Sequence, residues 1–421
     1  MPKASFLAYF HPAAGTAPKR RKVPLTQPLR HARYRRIWLA NMVSNLGTWV
    51  QAFAAAWLVA SLSQSASITA LVQTATYAPI FLFALLAGVL ADAVHRPKFL
   101  FFCNLFNAAC AGAMALLVWS GKVSSGPVLA ITFCLGIGTA FIWPAWQAAI
   151  GSLVEPDEVE AAATLNNLSY NLSAILGPAL GGLLFGWIGA GALFLANAIS
   201  FAGLLVVYWH WWREGEPQPV VREGFRTRFR QGFATAFGCP RYRRILRNVC
   251  SVFFATIAFA SLLPVFVREV LQLRAGVYGT LMGCLGGGAV LAAFFLPQVR
   301  ARVDRTGLLA GALLVYGLML LAMPHLRSLA LLAPLIVCGG MAWSTTVSTL
   351  NAAAQLSFPA EVRARTLSIY LFVMSGGYAA GSMFWGLVAD AWGVRAALAA
   401  AGACVVLNAL ALMTGSRKNP I

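Results

Sequence analysis

Hydrophobic residues lie along this chain in twelve long runs separated by short polar stretches. Six runs occupy the first half, at residues 37–62, 67–91, 98–119, 127–154, 161–185 and 189–209. Six occupy the second half, at 249–271, 275–296, 307–323, 329–356, 366–389 and 394–414. Each run approaches the roughly 20 apolar residues that a helix needs to cross a bilayer. Since backbone polar groups inside lipid must be satisfied within the segment, the pattern predicts an all-α integral membrane protein with twelve transmembrane helices.

Composition and charge agree with this class and exclude two others. Hydrophobic residues make up 59% of the 421 and charged residues only 10%, against about 45–50% and 25% in soluble proteins. A soluble enzyme and a disordered chain are therefore excluded. The net charge of +20 would suggest nucleic acid on a soluble protein. Here 27 of the 32 Lys and Arg residues lie on one side of the membrane when both termini are cytoplasmic.

That asymmetry predicts a multi-pass protein of the cytoplasmic (inner) membrane with both termini inside. The lipid bilayer, and not nucleic acid, is then the partner of the basic segments. The string Pro18–Val23 resembles a nuclear localisation signal, but a basic tail attracted to anionic lipid headgroups is the favoured interpretation. The predicted organisation is a basic cytoplasmic tail at 1–36, a six-helix bundle at 37–209, a cytoplasmic linker at 210–248, a second six-helix bundle at 249–414 and a tail at 415–421. An amphipathic stretch at 225–237 is expected to lie on the membrane surface.

The two six-helix bundles are related by an internal repeat. The residues Arg-Tyr-Arg-Arg-Ile occur at 33–37, before the first run, and again at 241–245, before the seventh. Gly177, Gly181 and Gly186 of the fifth run correspond to Gly377, Gly381 and Gly386 of the eleventh, and Trp143 corresponds to Trp343. Repeated halves are the architecture of many secondary transporters, whose substrate site lies between the halves near the midplane.

Several motifs resemble one family of transporters. Residues 88–92 (Gly-Val-Leu-Ala-Asp), followed by Arg96 and Lys98, resemble the loop motif between helices 2 and 3 of the major facilitator superfamily, although Ala93 and His95 depart from it. Residues 177–182 (Gly-Pro-Ala-Leu-Gly-Gly) resemble the helix 5 signature of its exporters. Residues 35–41, 44–51, 165–167 and 197–201 are similar to its branch of transmembrane secretion effectors, which includes the enterobactin exporter. The resemblance implies the major facilitator fold and alternating-access export of a drug-like or siderophore-like molecule.

Charged residues near the cytoplasmic ends form a predicted gating latch. Asp92 can face the positive N-terminal end of another helix, which by resemblance is helix 11, and Arg96 can pair with the acidic cluster after helix 4. The latch residues are Gly88, Asp92, Arg96, Glu155, Asp157, Asp304, Arg305, Glu361 and Arg365. Such contacts would hold the cytoplasmic ends together while the cavity opens outward. The alternative is a set of solvated loop charges that only determine topology.

Small residues on helix 5 predict a second mechanical element. Gly177, Gly181 and Gly182 allow another helix to approach closely, and Pro178 permits a bend. This group serves equally well as a hinge or as static packing.

Polar residues inside the predicted spans mark a candidate substrate cavity. On helix 1, polar residues share an arc of about 120°, and such a stripe is costly against lipid. By resemblance, helices 1, 4, 7 and 10 line the cavity. The predicted lining is Asn41, Asn45, Thr48, Gln51, Trp143, Gln147, Asn167, Asn171, Trp343, Thr345 and Ser348. The alternative for each residue is hydrogen bonding between packed helices.

The acidic residues and histidines all lie in loops, tails or span ends, although proton relays of transporters use such groups in the membrane interior. The cavity is therefore expected to be neutral and to suit an uncharged or zwitterionic amphipathic molecule. Proton antiport, which the resemblance implies, would have to use border carboxylates such as Asp92, Glu269 or Asp390.

The chain shows no phosphate-binding loop, no catalytic constellation and no metal-ligand spacing. It is expected to be a monomeric transporter of a small-molecule substrate, without cofactor, metal or enzyme activity. The alternatives are an importer or lysophospholipid flippase of the same fold, or a transport-inactive membrane sensor.

Overall fold

The computed structural model describes residues 23–215, 236–358 and 360–416. The predicted basic tail up to residue 22, the linker from 216 to 235 with most of the predicted surface stretch at 225–237, and the tail from 417 lie outside the described residues. The side chains of 89, 91–93, 360–365 and 415–416 also lie outside them. Three predicted latch residues, Asp92, Glu361 and Arg365, belong to this last group.

The described chain is built from helices, and none of its residues lies in a strand. The helices are α1 (Ala32–Leu62), α2 (Ala66–Ala93), α3 (Arg96–Trp119), α4 (Ser125–Leu153), α5 and α6 (together Val159–Arg213), α7 (Pro240–Val265), α8 (Ala275–Arg300), α9 (Arg305–Ala322), α10 (Leu329–Gln355), α11 (Ala360–Trp392) and α12 (Val394–Ser416). A π-helical turn, Phe266–Val270, extends α7, and a 3-10 turn, Met323–His325, ends α9.

Helices α5 and α6 form one stretch of 55 residues. At about 1.5 Å per residue it would be roughly 80 Å long if it were straight, far more than a bilayer of about 30 Å. The stretch breaks at Gly189, whose φ of 74° is a left-handed conformation that glycine adopts readily. The break separates α5 (159–188) from α6 (190–213), so the stretch crosses the membrane twice.

Ten helices of the described chain are long and apolar enough to cross a membrane. One of the ten, Val159–Arg213, crosses the membrane twice, and α1 (Ala32–Leu62) is a further span whose mean hydropathy is lowered by the polar stripe around Asn41 and Asn45. With both taken into account, the described chain has the twelve spans that the hydrophobic pattern predicts.

Two helices begin well before their predicted spans, because the repeated Arg-Tyr-Arg-Arg-Ile segment is helical. Helix α1 begins at Ala32 and α7 at Pro240. In each repeat the tyrosine is fully buried, and its hydroxyl donates to a backbone oxygen near the start of a later helix. Tyr34 donates to the Ala162 oxygen of α5 at 2.8 Å, and Tyr242 to the Thr366 oxygen of α11 at 2.6 Å. The sequence repeat is therefore also a repeat of contacts.

The halves α1–α6 and α7–α12 meet along two helix pairs. We call the end of the bundle where α1 begins and α12 ends the termini end, and the opposite end, where α1 meets α2, the far end. Helices α2 and α11 run antiparallel. The Thr74 hydroxyl donates to the Ala379 oxygen at 3.1 Å, and the Ser382 hydroxyl donates to the Ala70 oxygen at 2.5 Å. Helices α5 and α8 form the second pair and cross at Gly182 and Gly279.

Candidate functional site

A carboxylate of the second half is bound to the start of α2 in the first half, at the far end. Asp390, near the end of α11, accepts the Ala66 amide at 2.6 Å, the Ser67 amide at 3.2 Å and the Ser65 hydroxyl at 2.8 Å. The first amides of a helix have no partner within the helix and carry its positive dipole end, so a carboxylate there is stabilising. The contact ties the two halves together.

An arginine of the second half binds the adjacent end of α1. Arg268, in the π-helical turn after α7, donates to the backbone oxygens of Ala60 and Ser63, the latter at 2.8 Å. It also pairs with Glu269 at 2.6 Å. The last carbonyls of a helix carry its negative dipole end and favour a cation. We call Asp390 and Arg268, with the backbone of residues 60–67 that they bind, the far-end latch.

Aromatic packing between the halves lies beside the far-end latch. The Tyr278 ring of α8 stacks on Phe53 at 4.6 Å and on Trp57 at 5.9 Å between ring centroids. Nearby, the Cβ that would be added at Gly182 comes within 2.7 Å of the Gly279 Cα. Three helices, α1 and α5 of the first half and α8 of the second, are thus in direct contact at this end, and the far end of the seam is closed.

Both halves contribute rings to a group that we call the central aromatic cluster, formed by Tyr77, Tyr170, Phe253, Tyr316, Trp343 and Tyr378. Tyr77 of α2 lies 4.4 Å from Tyr378 of α11 between ring centroids. Tyr378 lies 5.0 Å from Phe253 and 6.4 Å from Trp343, and Trp343 lies 5.8 Å from Tyr316.

Tyr170 of α5 joins the central aromatic cluster from the first half. Its side chain lies near those of Tyr77 and Tyr378, and its ring packs edge-on against Trp49 at 5.8 Å between ring centroids. The Tyr170 side chain is nevertheless 39% exposed. Since its neighbours come from the seam between the halves, its accessible surface faces the interior of the bundle.

The predicted stripe on α1 divides between two directions. Thr48 is exposed and Asn45 is half-buried. Gln51 is 4% exposed and accepts a hydrogen bond from Asn197 of α6 at 2.6 Å, within the same half. Asn41 lies beside the hydroxyl of Tyr208, also on α6. The structure therefore brings Asn45 and Thr48 to an accessible face, whereas Asn41 and Gln51 face α6 and only Gln51 forms a hydrogen bond with it among the described residues.

The other predicted cavity residues are also distributed unevenly. Trp143 of α4 is 40% exposed and Gln147 is half-buried, while Asn167 and Asn171 of α5 are exposed. Trp343 belongs to the central aromatic cluster. Thr345 donates to the Met341 oxygen of its own helix, and Ser348 accepts a hydrogen bond from Arg300 at 3.1 Å.

At the termini end, several predicted latch residues have local partners. Asp304 accepts the amides of Thr306 and Gly307 at 3.1 and 3.2 Å, and so caps its own helix α9. Arg305, Glu155 and Asp157 are exposed. Gly88 faces the hydroxyl of Ser368 across the α2–α11 seam, and a Cβ there would lie 3.1 Å from that oxygen. The buried Nε of Arg96 has no acceptor within the described chain.

The acidic cluster after α4 contributes a different contact. Glu158 is 3% exposed and accepts a hydrogen bond from His31, which precedes α1, at 2.6 Å. Burial disfavours its charge, but hydrogen bonds from Gln27 and His31 outweigh this effect and lower the pKa of Glu158. The pair fastens the start of α1 to the start of α5, within one half.

The glycines of α5 have separate neighbours. Gly177 packs against the Trp49 side chain, and a Cβ at Gly181 would lie 2.8 Å from a ring carbon of Phe53; both partners belong to α1. Gly182 faces the other half, and a Cβ added at Gly279 would lie 2.8 Å from the backbone oxygen of buried Pro178 at the same crossing. The predicted hinge thus comprises an intra-half packing surface and an inter-half crossing.

Sequence reasoning missed the roles of Tyr77, Tyr378 and Arg268. Aromatic residues make up 12% of the chain, so no pattern singles out the two tyrosines. Arg268 gives a usable signal, because it is an arginine inside an apolar run that ends at residue 271, directly before a short loop. For Asp390, the sequence indicates only a carboxylate at the border of a span.

Comparisons with known proteins agree with this architecture. Residues 24–418 match the transmembrane secretion effector family. The chain is 22% identical to the multidrug efflux pump Tap of Mycobacterium tuberculosis over 391 residues, covering 89% of this chain and 91% of the pump. It is 22% identical to the staphyloferrin A transporter of Staphylococcus aureus over 354 residues, covering 83% of this chain and 87% of that protein.

Two solved structures show the same fold. A bacterial homologue of the human lysosomal transporter Spinster, in an inward-facing and unoccupied conformation, superposes with a TM-score of 0.73 at 17% identity, covering 93% of this chain and 98% of the other. The nucleoside transporter NupG superposes with a TM-score of 0.71 at 10% identity, covering 91% and 98%. With the family match extending over nearly its whole length, this chain belongs to the transmembrane secretion effector family of the major facilitator superfamily.

Proposed function

We propose that the protein is a secondary active exporter that moves a small amphipathic molecule across the cytoplasmic membrane by alternating access. Two relatives named above are a multidrug efflux pump and a siderophore transporter. Positive residues at the termini end support a cytoplasmic location for that end. The far-end latch would then lie on the outer side of the membrane.

The central aromatic cluster is the observation that carries the proposal. It lies between the halves, where alternating access requires the substrate to bind. Its rings come from both halves, so a molecule among them would contact both sides of the seam at once. Rings with phenol groups offer apolar surface and a few hydrogen-bonding groups, which suits an uncharged or zwitterionic amphipathic molecule. Asn45, Thr48, Trp143, Gln147, Asn167 and Asn171 are proposed to extend this lining toward the termini end.

The closed far end supports an inward-facing state, in which substrate enters from the cytoplasm. Release outward would require the far-end latch to open and contacts at the termini end to form. The predicted latch of Asp92, Arg96, Glu361 and Arg365 is proposed for that second state.

Asp390 is the border carboxylate best supported as a site of proton coupling. Its charge is what the first amides of α2 and the Ser65 hydroxyl bind. Burial disfavours the Asp390 charge, but these hydrogen bonds outweigh burial and lower the pKa of Asp390, so a proton from outside would compete with the far-end latch and favour its opening. Asp390→Asn should then abolish the response of efflux to the proton gradient, whereas Glu269→Gln, which leaves both far-end backbone contacts in place, should retain it.

Efflux of Nile red, an uncharged amphipathic dye, from cells that express the protein tests the transport function. Preloaded cells should lose the dye faster than cells with empty vector. Trp343→Ala or Tyr170→Ala should slow this efflux by about two- to tenfold, since one aromatic contact is worth roughly 0.5–1.5 kcal/mol. Trp187→Ala is the matched control, because Trp187 is 78% exposed outside the seam.

Two outcomes would contradict the proposal. The first is unchanged accumulation of Nile red and of other neutral or zwitterionic dyes in cells with confirmed membrane expression. The second is an equal loss of efflux in Trp187→Ala and Trp343→Ala. Flipping of lysophospholipid by the reconstituted protein, without dye efflux, would favour the lipid transporter instead.

A further inference from the structure

A groove between α1 and α6 lies at the termini end, on the first half and away from the seam. Its volume is about 380 Å³, within the roughly 300–1,000 Å³ of sites that bind small molecules. Residues of α1 and α6 line it: Ala32, Arg33, Arg36, Val206, Val207, His210, Trp211 and Glu214. Since neither the central aromatic cluster nor the far-end latch includes these residues, the proposed transport function leaves the groove without a role.

The aromatic residues beside the groove fix its depth in the membrane. Trp209 and Trp212, on the same turns of α6, pack against Phe101 and Phe102 of α3 at 5.7 and 6.1 Å between ring centroids. The Lys98 ammonium lies 5.4 Å above the Trp212 ring, and the Arg213 guanidinium lies 4.9 Å above the Trp209 ring. Tryptophans capped by cations are typical of the boundary between hydrocarbon and headgroups, so the groove lies at headgroup level.

The chemistry of the groove changes along its length. Toward the membrane, Val206 is 57% exposed and Val207 is half-buried, which gives an apolar surface. Toward water lie Arg33, Arg36 and His210. This order matches a phospholipid, with acyl chains followed by a charged headgroup.

The charges favour an anionic headgroup. Arg33 pairs with Glu214, and each side chain is about half exposed. Arg36, one turn deeper, is exposed and has no hydrogen bond or ion pair within the described residues. Two arginines and one carboxylate leave the groove with one net positive charge when His210 is neutral. The His210 Nδ1 donates to the Val206 oxygen at 2.7 Å, which leaves Nε2 for another partner.

A buried donor without a partner also lines the groove. Trp211 is 1% exposed, and its indole Nε1 has no acceptor among the residues that the structure describes. A buried N–H without an acceptor costs free energy comparable to a lost hydrogen bond. An oxygen of a bound headgroup would satisfy it.

We propose that the α1–α6 groove binds one anionic phospholipid of the membrane leaflet at the termini end. Arg36 and the Trp211 indole bind phosphate oxygens, Arg33 and His210 surround the headgroup, and the acyl chains lie along Val206 and Val207. Basic pockets between transmembrane helices are known to bind acidic headgroups. The bound lipid would hold the start of α1 against the end of α6.

Native mass spectrometry of the purified, delipidated full-length chain tests this assignment. Dioleoylphosphatidylglycerol should bind as a single high-affinity adduct that survives activation, and dioleoylphosphatidylcholine should not. Arg36→Gln should weaken phosphatidylglycerol binding about fivefold, since one basic residue near a lipid surface contributes roughly that factor. Trp211→Phe, which keeps an aromatic ring but removes the indole N–H donor, should weaken phosphatidylglycerol binding as well.

Arg302→Gln is the matched control, because Arg302 is an exposed arginine in the α8–α9 connection, outside the groove. Equal effects of Arg36→Gln and Arg302→Gln, or equal binding of the two lipids, would overturn the assignment. Displacement of the lipid adduct by an excess of inorganic phosphate would also overturn it, since the groove would then be a simple anion site. Melting temperatures of both variants without lipid separate a folding defect from lost binding.

Discussion

The Asp390 carboxylate accepts the Ala66 amide at 2.6 Å, and this hydrogen bond joins the last turn of α11 to the first turn of α2 in the other half. Arg268 acts in the opposite electrostatic sense on the end of α1, only a few residues away. A single connection of the first half, between α1 and α2, is therefore held from both sides by charges of the second half.

Asp390→Asn should speed hydrogen exchange at the amides of Ala66 and Ser67. An amide side chain keeps an acceptor but loses the charge at the helix N-terminus, worth about 0.3–1 kcal/mol or somewhat more when partly buried. Exchange should accelerate about two- to fivefold, as measured by mass spectrometry in nanodiscs. Asp304→Asn is the control, because Asp304 caps α9 in the same manner within its own half. It should affect Thr306 and Gly307 only, and an unchanged rate at Ala66 in Asp390→Asn would refute the prediction.

Arg268→Gln should lower the thermal stability of the far-end-closed state. The guanidinium donates to two carbonyls, and hydrogen bonds from charged groups contribute about 1.5–3 kcal/mol. A thiol-reactive dye that follows unfolding in detergent would report the lower melting temperature. Arg274→Gln, at an exposed arginine of the same end, should change it little. Similar melting temperatures for the two variants would show that the two Arg268 contacts contribute no stability.

Gly182→Ala should impair closure of the far end. The added methyl would lie 2.7 Å from the Gly279 Cα and 3.1 Å from its amide nitrogen, so the backbones of α5 and α8 would have to separate. Transport should fall by about five- to 150-fold, since overpacking in a rigid contact costs about 1–3 kcal/mol. Gly186→Ala, four residues further along α5, has no atom within 4 Å of the new methyl and should transport normally. Normal efflux by Gly182→Ala would contradict the prediction, because it would mean that α5 and α8 can separate at this crossing without any effect on closure of the far end.

Glu158→Gln should destabilise the start of α1 at neutral pH and have less effect in acid. Burial opposes the charge of Glu158, but hydrogen bonds from Gln27 and His31 lower its pKa below the ordinary 4.5. A lowered carboxylate pKa contributes stability above the unfolded value, and this stability is lost as pH falls through the folded value.

The difference in melting temperature between wild type and Glu158→Gln should therefore be largest near pH 7 and shrink below about pH 4.5. Exposed Glu155→Gln serves as the control and should show no such dependence. A difference that stays constant from pH 7 to pH 4 would contradict the role of the carboxylate charge.

The number of helices and the repeat could be predicted from the sequence, because both depend on local patterns. The hydrophobic runs give the spans, and the repeated segment at 33–37 and 241–245 gives equivalent tyrosine contacts in the two halves. Helix ends were less predictable. The first turns of α1 and α7 are charged yet helical, since a helix needs apolar side chains only where lipid surrounds it.

The candidate site was predictable only in part, because one polar residue can face a cavity or a neighbouring helix with the same spacing. Gln51 and Thr48 lie on one predicted stripe, yet Gln51 binds Asn197 whereas Thr48 is exposed. The contacts of Asp390 and Arg268 are over 200 residues apart in sequence and are made mainly with backbone atoms. Because every residue type has these backbone atoms, the partner residues cannot be recognised from the sequence.

The backbone nature of the far-end latch makes its two sides unequal under mutation. On the first half, the carbonyls of Ala60 and Ser63 remain whatever side chains those positions carry, and the amides of Ala66 and Ser67 remain for every residue except proline. Of the side chains in residues 60–67, the Ser65 hydroxyl also binds Asp390. On the second half, each contact depends on one charged side chain. Genetic drift could therefore alter most of the α1–α2 connection without loss of closure, whereas Arg268 and Asp390 should tolerate few replacements. A deep mutational scan would detect this as a sharp difference in tolerance between surfaces that touch each other.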